Sequence, residues 1–226
     1  TNGTLLNEEW CRFLKSENFI TGISIDGPED YHNKYRRTSS GESSLADALK
    51  GYYLLKKHGI AVEILCVVNA ENSEHPLEVY NFFRHLGAVY ITFLPLVEKS
   101  LTGASGVTSR SVVAEIFGNF LSVIFDEWRD NDIGKIKIQI FEEALRAAFG
   151  QDHTLCIFKE NCGGVPVVEH NGDFYSCDHF VDRDHLAGNI TEQNLSFLLD
   201  CQEQKAFGRA KSETLPAWCI NCEVRS

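Results

Sequence analysis

Cys156, Cys162, Cys177, Cys219 and Cys222 crowd into the last third of the chain, and their surroundings are irregular rather than periodic. Cys156 and Cys162 bracket a loop that ends in Gly163-Gly164. Cys177 follows a hairpin-like segment, and Cys219-x-x-Cys222 follows Leu215-Pro216. Thiolates converge in this way on a soft metal ion or an iron–sulfur centre, because several sulfurs must reach one point from backbone that Gly and Pro allow to bend. Spacing by itself does not separate iron–sulfur from a structural zinc knuckle.

The chain of 226 residues is long enough to bury a sizeable core. No apolar run approaches the ~18 residues needed to span a bilayer, and no charged segment followed by an apolar one marks the start for secretion. A reducing cytoplasm is therefore the expected compartment. There the eight cysteines read as ligands, catalytic groups or small buried residues rather than disulfides. A net charge of −11 and the lack of a basic stripe argue against a nucleic-acid surface. The sequence contains no Met, and its last cysteine pair falls close to its end; both features lead us to expect a piece of a longer protein.

Upstream of the cysteines, short β-branched runs alternate with longer amphipathic stretches, the pattern of βα units on a parallel sheet. Strands are expected at Ile20–Ile25, Val62–Val68, Val89–Leu94 and Lys135–Ile140. Helices are expected at Ser44–His58 and Leu77–Leu86, closed by Gly59 and Gly87, and at Ser111–Arg129. Four strands cannot close a barrel, so the expected fold class is α/β: half of an α/β barrel or an open sheet over residues 1–150. Residues 151–226 form a second, ligand-braced module. Its clearest local signal is the hairpin Val167–Tyr175, whose Asn171-Gly172 suits a tight primed turn.

These residues resemble a known family. Cys156-x5-Cys162, Gly172-x4-Cys177 followed at once by Asp178, Leu186-Ala187-Gly188-Asn189-Ile190, and Cys219-x-x-Cys222-Glu223-Val224-Arg225 look like the SPASM region of anaerobic sulfatase-maturating enzymes. Those enzymes belong to the radical S-adenosylmethionine (SAM) superfamily. Gly22-Ile23-Ser24-Ile25-Asp26-Gly27-Pro28, His32-x3-Arg36, Ile64–Asn69 and Phe93-Leu94-Pro95-Leu96 resemble the second half of that family's partial barrel. The resemblance runs the whole length of the chain.

The resemblance implies residues 1–150 as the C-terminal half of a radical SAM partial barrel and 151–226 as a truncated SPASM module. It implies an oxidoreductase that converts a Cys or Ser of a sulfatase, in a Cys/Ser-x-Pro-x-Arg setting, to Cα-formylglycine. A 5′-deoxyadenosyl radical made from SAM would take a hydrogen from the substrate Cβ. Asp178 would be the general base for the thiol or hydroxyl proton. Cys156, Cys162 and Cys177 would ligate a first auxiliary 4Fe–4S cluster, and Cys219 and Cys222 would begin a second. Ser24 and Arg36 would contact SAM, Arg36 by a bidentate bond to its carboxylate. A flavodoxin or ferredoxin would be the reductant. The CxxxCxxC loop of the SAM-cleaving cluster is not in this sequence, so the 226-residue chain by itself is expected to be inactive. Two other readings stay open at this point: a SPASM enzyme acting on a ribosomal peptide, and a zinc-braced, non-catalytic interaction module.

The remaining chemistry-bearing residues have plainer expectations. Cys11, Cys66 and Cys201 read as small buried hydrophobes. Glu142-Glu143 reads as a solvated helix face, since adjacent helical positions diverge. Tyr52-Tyr53 and Phe82-Phe83 pack helices onto the sheet, and His179 stays unassigned between tuning Asp178 and facing solvent.

Overall fold

Strand β1 (Ile20–Ser24) pairs in parallel with β2 (Ala61–Val68), β2 with β3 (Tyr90–Pro95), and β3 with β4 (Lys137–Ile138), so the sheet order follows the chain order. Parallel neighbours need crossovers. They are α3 (Leu45–Lys57), α4 (Pro76–His85) and α5 (Ala114–Asn131), while α1 (Glu8–Ser16) precedes the sheet and α2 (Glu29–Tyr35) follows β1. This is a computed structural model, and it describes residues 1–100 and 106–223. Val224 and Arg225 of the C-terminal motif lie outside the described residues.

Alternation along the strands decides which side is core. Ile23, Ile64, Cys66, Val68 and Ile91 are buried in one apolar cluster with Tyr52 and Leu55 of α3, Phe83 of α4 and Phe120 and Ile124 of α5. Phe93 meets Phe120 edge-on at 5.2 Å between ring centroids. The other set of positions carries Ser24, Glu63, Leu65 and Thr92, with the Thr92 hydroxyl donating to Glu63.

Helices α3 and α4 both end in a Schellman motif. Ile60 N–H donates to Leu55 O and Gly59 N–H to Lys56 O; Ala88 N–H donates to Phe83 O and Gly87 N–H to Arg84 O. Gly59 and Gly87 take the left-handed conformation that this closure requires, at φ 62° and 71°.

Three local expectations are corrected. The fourth strand is only Lys137–Ile138, because Gln139 and Ile140 already belong to α6 (Gln139–Ala148). Of the aromatic pairs, Tyr52 and Phe83 are buried and Phe82 packs partly buried against the same core as expected, whereas Tyr53 is exposed. The hairpin turn is not a two-residue primed turn. Gly172 N–H donates to Glu169 O and Glu169 N–H to Asp173 O, so His170-Asn171-Gly172 form a three-residue loop. Only Gly172, at φ 89°, is left-handed there; a primed type I turn would need positive φ at Asn171 as well.

The chain divides into two compact units between Glu142 and Glu143, inside α6. The second unit holds an antiparallel sheet of β5 (Val167–Val168), β6 (Asp173–Tyr175) and β7 (Leu186–Asn189). Helices α7 (Leu195–Asp200), α8 (Gln202–Glu213) and α9 (Ala217–Ile220) follow. Its buried apolar residues are few, chiefly Phe174, Tyr175 and Leu198. So small a core leaves room for bound ligands to contribute to stability. Among the described residues no helix is long and apolar enough to cross a membrane.

Glu143 is the clearest departure from expectation. It is 2% exposed rather than solvated. Its carboxylate accepts from Thr154 N–H at 3.0 Å and from the Thr154 hydroxyl, and lies 3.1 Å from His153 Nδ1. Burial works to raise its pKa, but hydrogen bonds from Thr154, His153 and the Leu155 backbone together hold it below the ordinary value. Glu142 and Glu143 do diverge, as helical spacing requires. The buried one ties the segment before Cys156 to α6.

Candidate functional site

In the second unit, one face of α8 sets the Cys156–Cys162 loop. Cys162 N–H donates to Gly208 O at 3.0 Å. A Cβ on Gly208 would come within 2.8 Å of Cys162 O, so this approach needs glycine. Gln204 Nε2 donates to Gly163 O at 2.9 Å, and Lys211 Nζ donates to Cys156 O at 2.9 Å and Ile157 O at 2.8 Å. Cys177 is delivered from the other side by β6, which is anchored by the fully buried Phe174, and a turn closes with Phe180 N–H on Cys177 O at 3.1 Å.

The result is a cavity of about 500 Å³ whose lining includes Cys156, Cys162, Cys177, Ile157, Phe180 and Phe207. All three thiols are free. Burial pushes the Cys177 thiol up, with the neighbouring Asp178 carboxylate adding to the effect. Three soft sulfur donors around one mostly apolar hollow suit an iron–sulfur cluster, and the donor set fits that group.

Asp178 is adjacent but turned outward, with 61% of its side chain exposed. Its Oδ1 lies 3.5 Å from Cys177 Sγ and 3.0 Å from His179 Nδ1, while His179 Nδ1 is 3.6 Å from Cys177 Sγ. Ligand atoms of these three residues lie within 4.8 Å of one another. Cys219 and Cys222 sit on α9 and just beyond it and are not among the residues lining the cavity. Cys11 and Cys66 are buried. Cys201 is a helix cap instead: its sulfur accepts from Gln204 N–H at 3.5 Å and its thiol donates to Leu198 O at 3.3 Å.

The first unit has a separate cavity of about 560 Å³, lined by Ser24, His32, Tyr35, Arg36, Ser44 and Asp47 among others. Arg36 is not a free surface charge. Its Nε and Nη2 donate to Asp26 Oδ2 at 2.6 Å and Oδ1 at 3.1 Å, leaving the rest of its five N–H groups for other partners. Asp26 is 3% exposed, and its Oδ1 also accepts from Val67 N–H at 2.9 Å. Motif reading left unassigned both Asp26, which holds Arg36, and His32, which lines the cavity. The one-turn spacing of His32-x3-Arg36 was the available signal.

His32 is assigned by its neighbours. Its Nδ1 accepts from Asp26 N–H at 3.2 Å, so Nε2 carries the proton and donates to Ser44 Oγ at 3.2 Å; that hydroxyl then donates to Arg36 O at 2.8 Å. Burial, opposed by Asp26 and aided by Arg36, pulls the His32 pKa from 6.5 down to about 4. The unfolded chain therefore binds this proton more readily, and stability present above pH 6.5 should be lost as pH falls toward 4, by about 3 kcal/mol. Chemical denaturation of the metal-free chain at a series of pH values should show this slope, and His32→Gln should flatten it. Glu143, whose carboxyl is held below its ordinary value by the Thr154 and His153 hydrogen bonds, adds a slope of the same sign at the acidic end of that window, and His32→Gln leaves that part in place.

Fold and site together define a parallel α/β unit joined to a cysteine-rich iron–sulfur module. Residues 156–223 match the SPASM family, described as an iron–sulfur cluster-binding domain. Over 99% of its length the chain is 41% identical to a serine-type anaerobic sulfatase-maturating enzyme of Bacteroides thetaiotaomicron, covering 57% of that protein. A cysteine-type anaerobic sulfatase-maturating enzyme of Clostridium novyi is 30% identical over 92% of the chain, which covers 56% of it. Among solved structures, native anSMEcpe with bound AdoMet and Cp18Cys peptide superposes with a TM-score of 0.88 at 26% identity, over 99% of this chain and 62% of that one. Along nearly its whole length the chain is similar to part of the anaerobic sulfatase-maturating enzymes. It spans about half the length of the curated relatives it matches.

Proposed function

We propose that this chain supplies the second half of the partial barrel and the SPASM module of a sulfatase-maturating oxidoreductase. The observation that carries the reading is the convergence of Cys156, Cys162 and Cys177 on one cavity, with Asp178 directly beside Cys177. In this reading those three thiolates hold an auxiliary 4Fe–4S cluster, Cys219 and Cys222 begin a second, and Ser24 and Arg36 bind SAM. When bound, SAM and the clusters supply hydrogen-atom abstraction and a route for electrons.

The chain's own groups do the rest. Conversion of a seryl –CH₂OH to an aldehyde removes two hydrogens, one as an atom from Cβ and one as the hydroxyl proton, which Asp178 accepts; one electron remains to be carried away. Exposure of Asp178 suits this task, since the carboxylate must meet an incoming polypeptide. The higher identity to the serine-type relative than to the cysteine-type one favours a seryl substrate. The partners in this reading are a sulfatase segment of the Cys/Ser-x-Pro-x-Arg type and a flavodoxin or ferredoxin, in the cytoplasm.

The test is anaerobic reconstitution of the full-length protein carrying this chain, with iron, sulfide and zinc quantified. Cys177→Ala should remove one cluster, about four iron and four sulfide per chain. Tight zinc without sulfide would replace this reading with a zinc-braced module.

A further inference from the structure

Gln204, Gly208 and Lys211 are spaced so that one face of α8 touches the Cys156–Gly163 loop at three points. Gln204 and Gly208 contribute a hydrogen bond and a close approach. Lys211 contributes something different, a charge. Its ammonium is tethered by the carbonyls of Cys156 and Ile157, and the residue is part of the lining of the three-thiol cavity. Among the described residues lining that cavity, Lys211 is the one Lys or Arg. Two of its three N–H groups are used by carbonyls of the first cysteine's own turn.

We propose that Lys211 is a positioning residue that fixes the Cys156 turn and sets the electrostatic potential at the Cys156–Cys162–Cys177 site, so that a cluster held there is easier to reduce. The inference rests on the ligand reading proposed above. A thiolate-ligated cluster gains negative charge on reduction, and a nearby cation stabilises the reduced form more than the oxidised one. The tether also turns the negative ends of two carbonyl dipoles onto the ammonium and away from other partners.

The test uses Lys211→Met, which keeps the apolar stem without the charge, and Lys211→Arg, which keeps the charge. Midpoint potentials of the reconstituted full-length protein would be read by EPR-monitored titration, with the signal of this site identified by its loss in Cys177→Ala. Lys211→Met is expected to load iron and sulfide as wild type does and to shift the midpoint negative, so that the reduced-to-oxidised ratio at the wild-type midpoint falls about tenfold. Lys211→Arg should stay within about twofold of wild type. A fully loaded Met variant with an unshifted midpoint would overturn the inference, as would an Arg variant shifted as far as the Met variant. If the Met variant takes up no cluster, the Arg variant decides: loading at the wild-type midpoint supports the role of the charge, and failure to load refutes it. Wild-type protein without iron and sulfide at this site would instead overturn the ligand reading itself, and this inference with it.

Discussion

Asp178→Asn in the full-length protein carrying this chain is expected to lower conversion of a sulfatase-derived peptide by about 10²–10⁴-fold while leaving iron and sulfide content unchanged. Asn preserves the shape of the side chain but cannot accept a proton. The substitution therefore separates proton transfer from cluster assembly, which depends on the sulfurs. Asp178 is well placed for the comparison. Its carboxylate is exposed, it neighbours a proposed ligand in sequence, and it contacts the flanking Cys177 and His179. The measurement is turnover by mass spectrometry, following the loss of two hydrogens from the peptide, beside iron and sulfide quantification. Unchanged turnover in a fully loaded Asp178→Asn protein would remove Asp178 from the mechanism. Loss of iron together with turnover would instead make it a structural group of the Cys177 turn.

The second large effect is on stability. Asp26→Ala should destabilise the first unit by about 3–5 kcal/mol, because it strands the Arg36 guanidinium and the Val67 N–H that now share one buried carboxylate. Surface ion pairs such as Arg129 with Asp126 are exposed on both sides, and Asp126→Ala should cost well under about 1 kcal/mol by comparison. Urea denaturation of the two variants beside wild type measures the contrast. A loss at Asp26 no larger than at Asp126 would show that the Asp26–Arg36 pair does not organise this end of the sheet. The pair also gives Arg36 a defined orientation. With Nε and one Nη2 hydrogen committed to Asp26, the remaining donors are those available to an anionic ligand in the cavity it lines with Ser24.

The parallel α/β arrangement was legible because it rests on short-range causes. β-branched runs at Ile20–Ser24 and Ala61–Val68 must bury alternate side chains, and Gly59 and Gly87 must take a left-handed backbone to close their helices. The short fourth strand was misread because Gln139 and Ile140 are compatible with either element, and tertiary context chose the helix. The Asn171-Gly172 signal marked a hairpin correctly but not the turn class, which depends on where cross-strand hydrogen bonding resumes.

What the sequence by itself determined is the chemistry on offer: which thiols and carboxylates exist, their order, and the periodicities that make a parallel sheet followed by a ligand-braced module. Those follow from local spacing and from backbone preferences that act over a few residues. Tertiary structure decided which of these groups meet. It brought Cys156 and Cys162 to Cys177 through a glycine contact on α8, committed Arg36 to Asp26, buried Glu143 under Thr154 and His153, and put Lys211 beside the thiols. Each of those contacts joins residues separated by ten or more positions. Their formation depends on loop closure and side-chain packing, for which spacing along the chain carries no direct record.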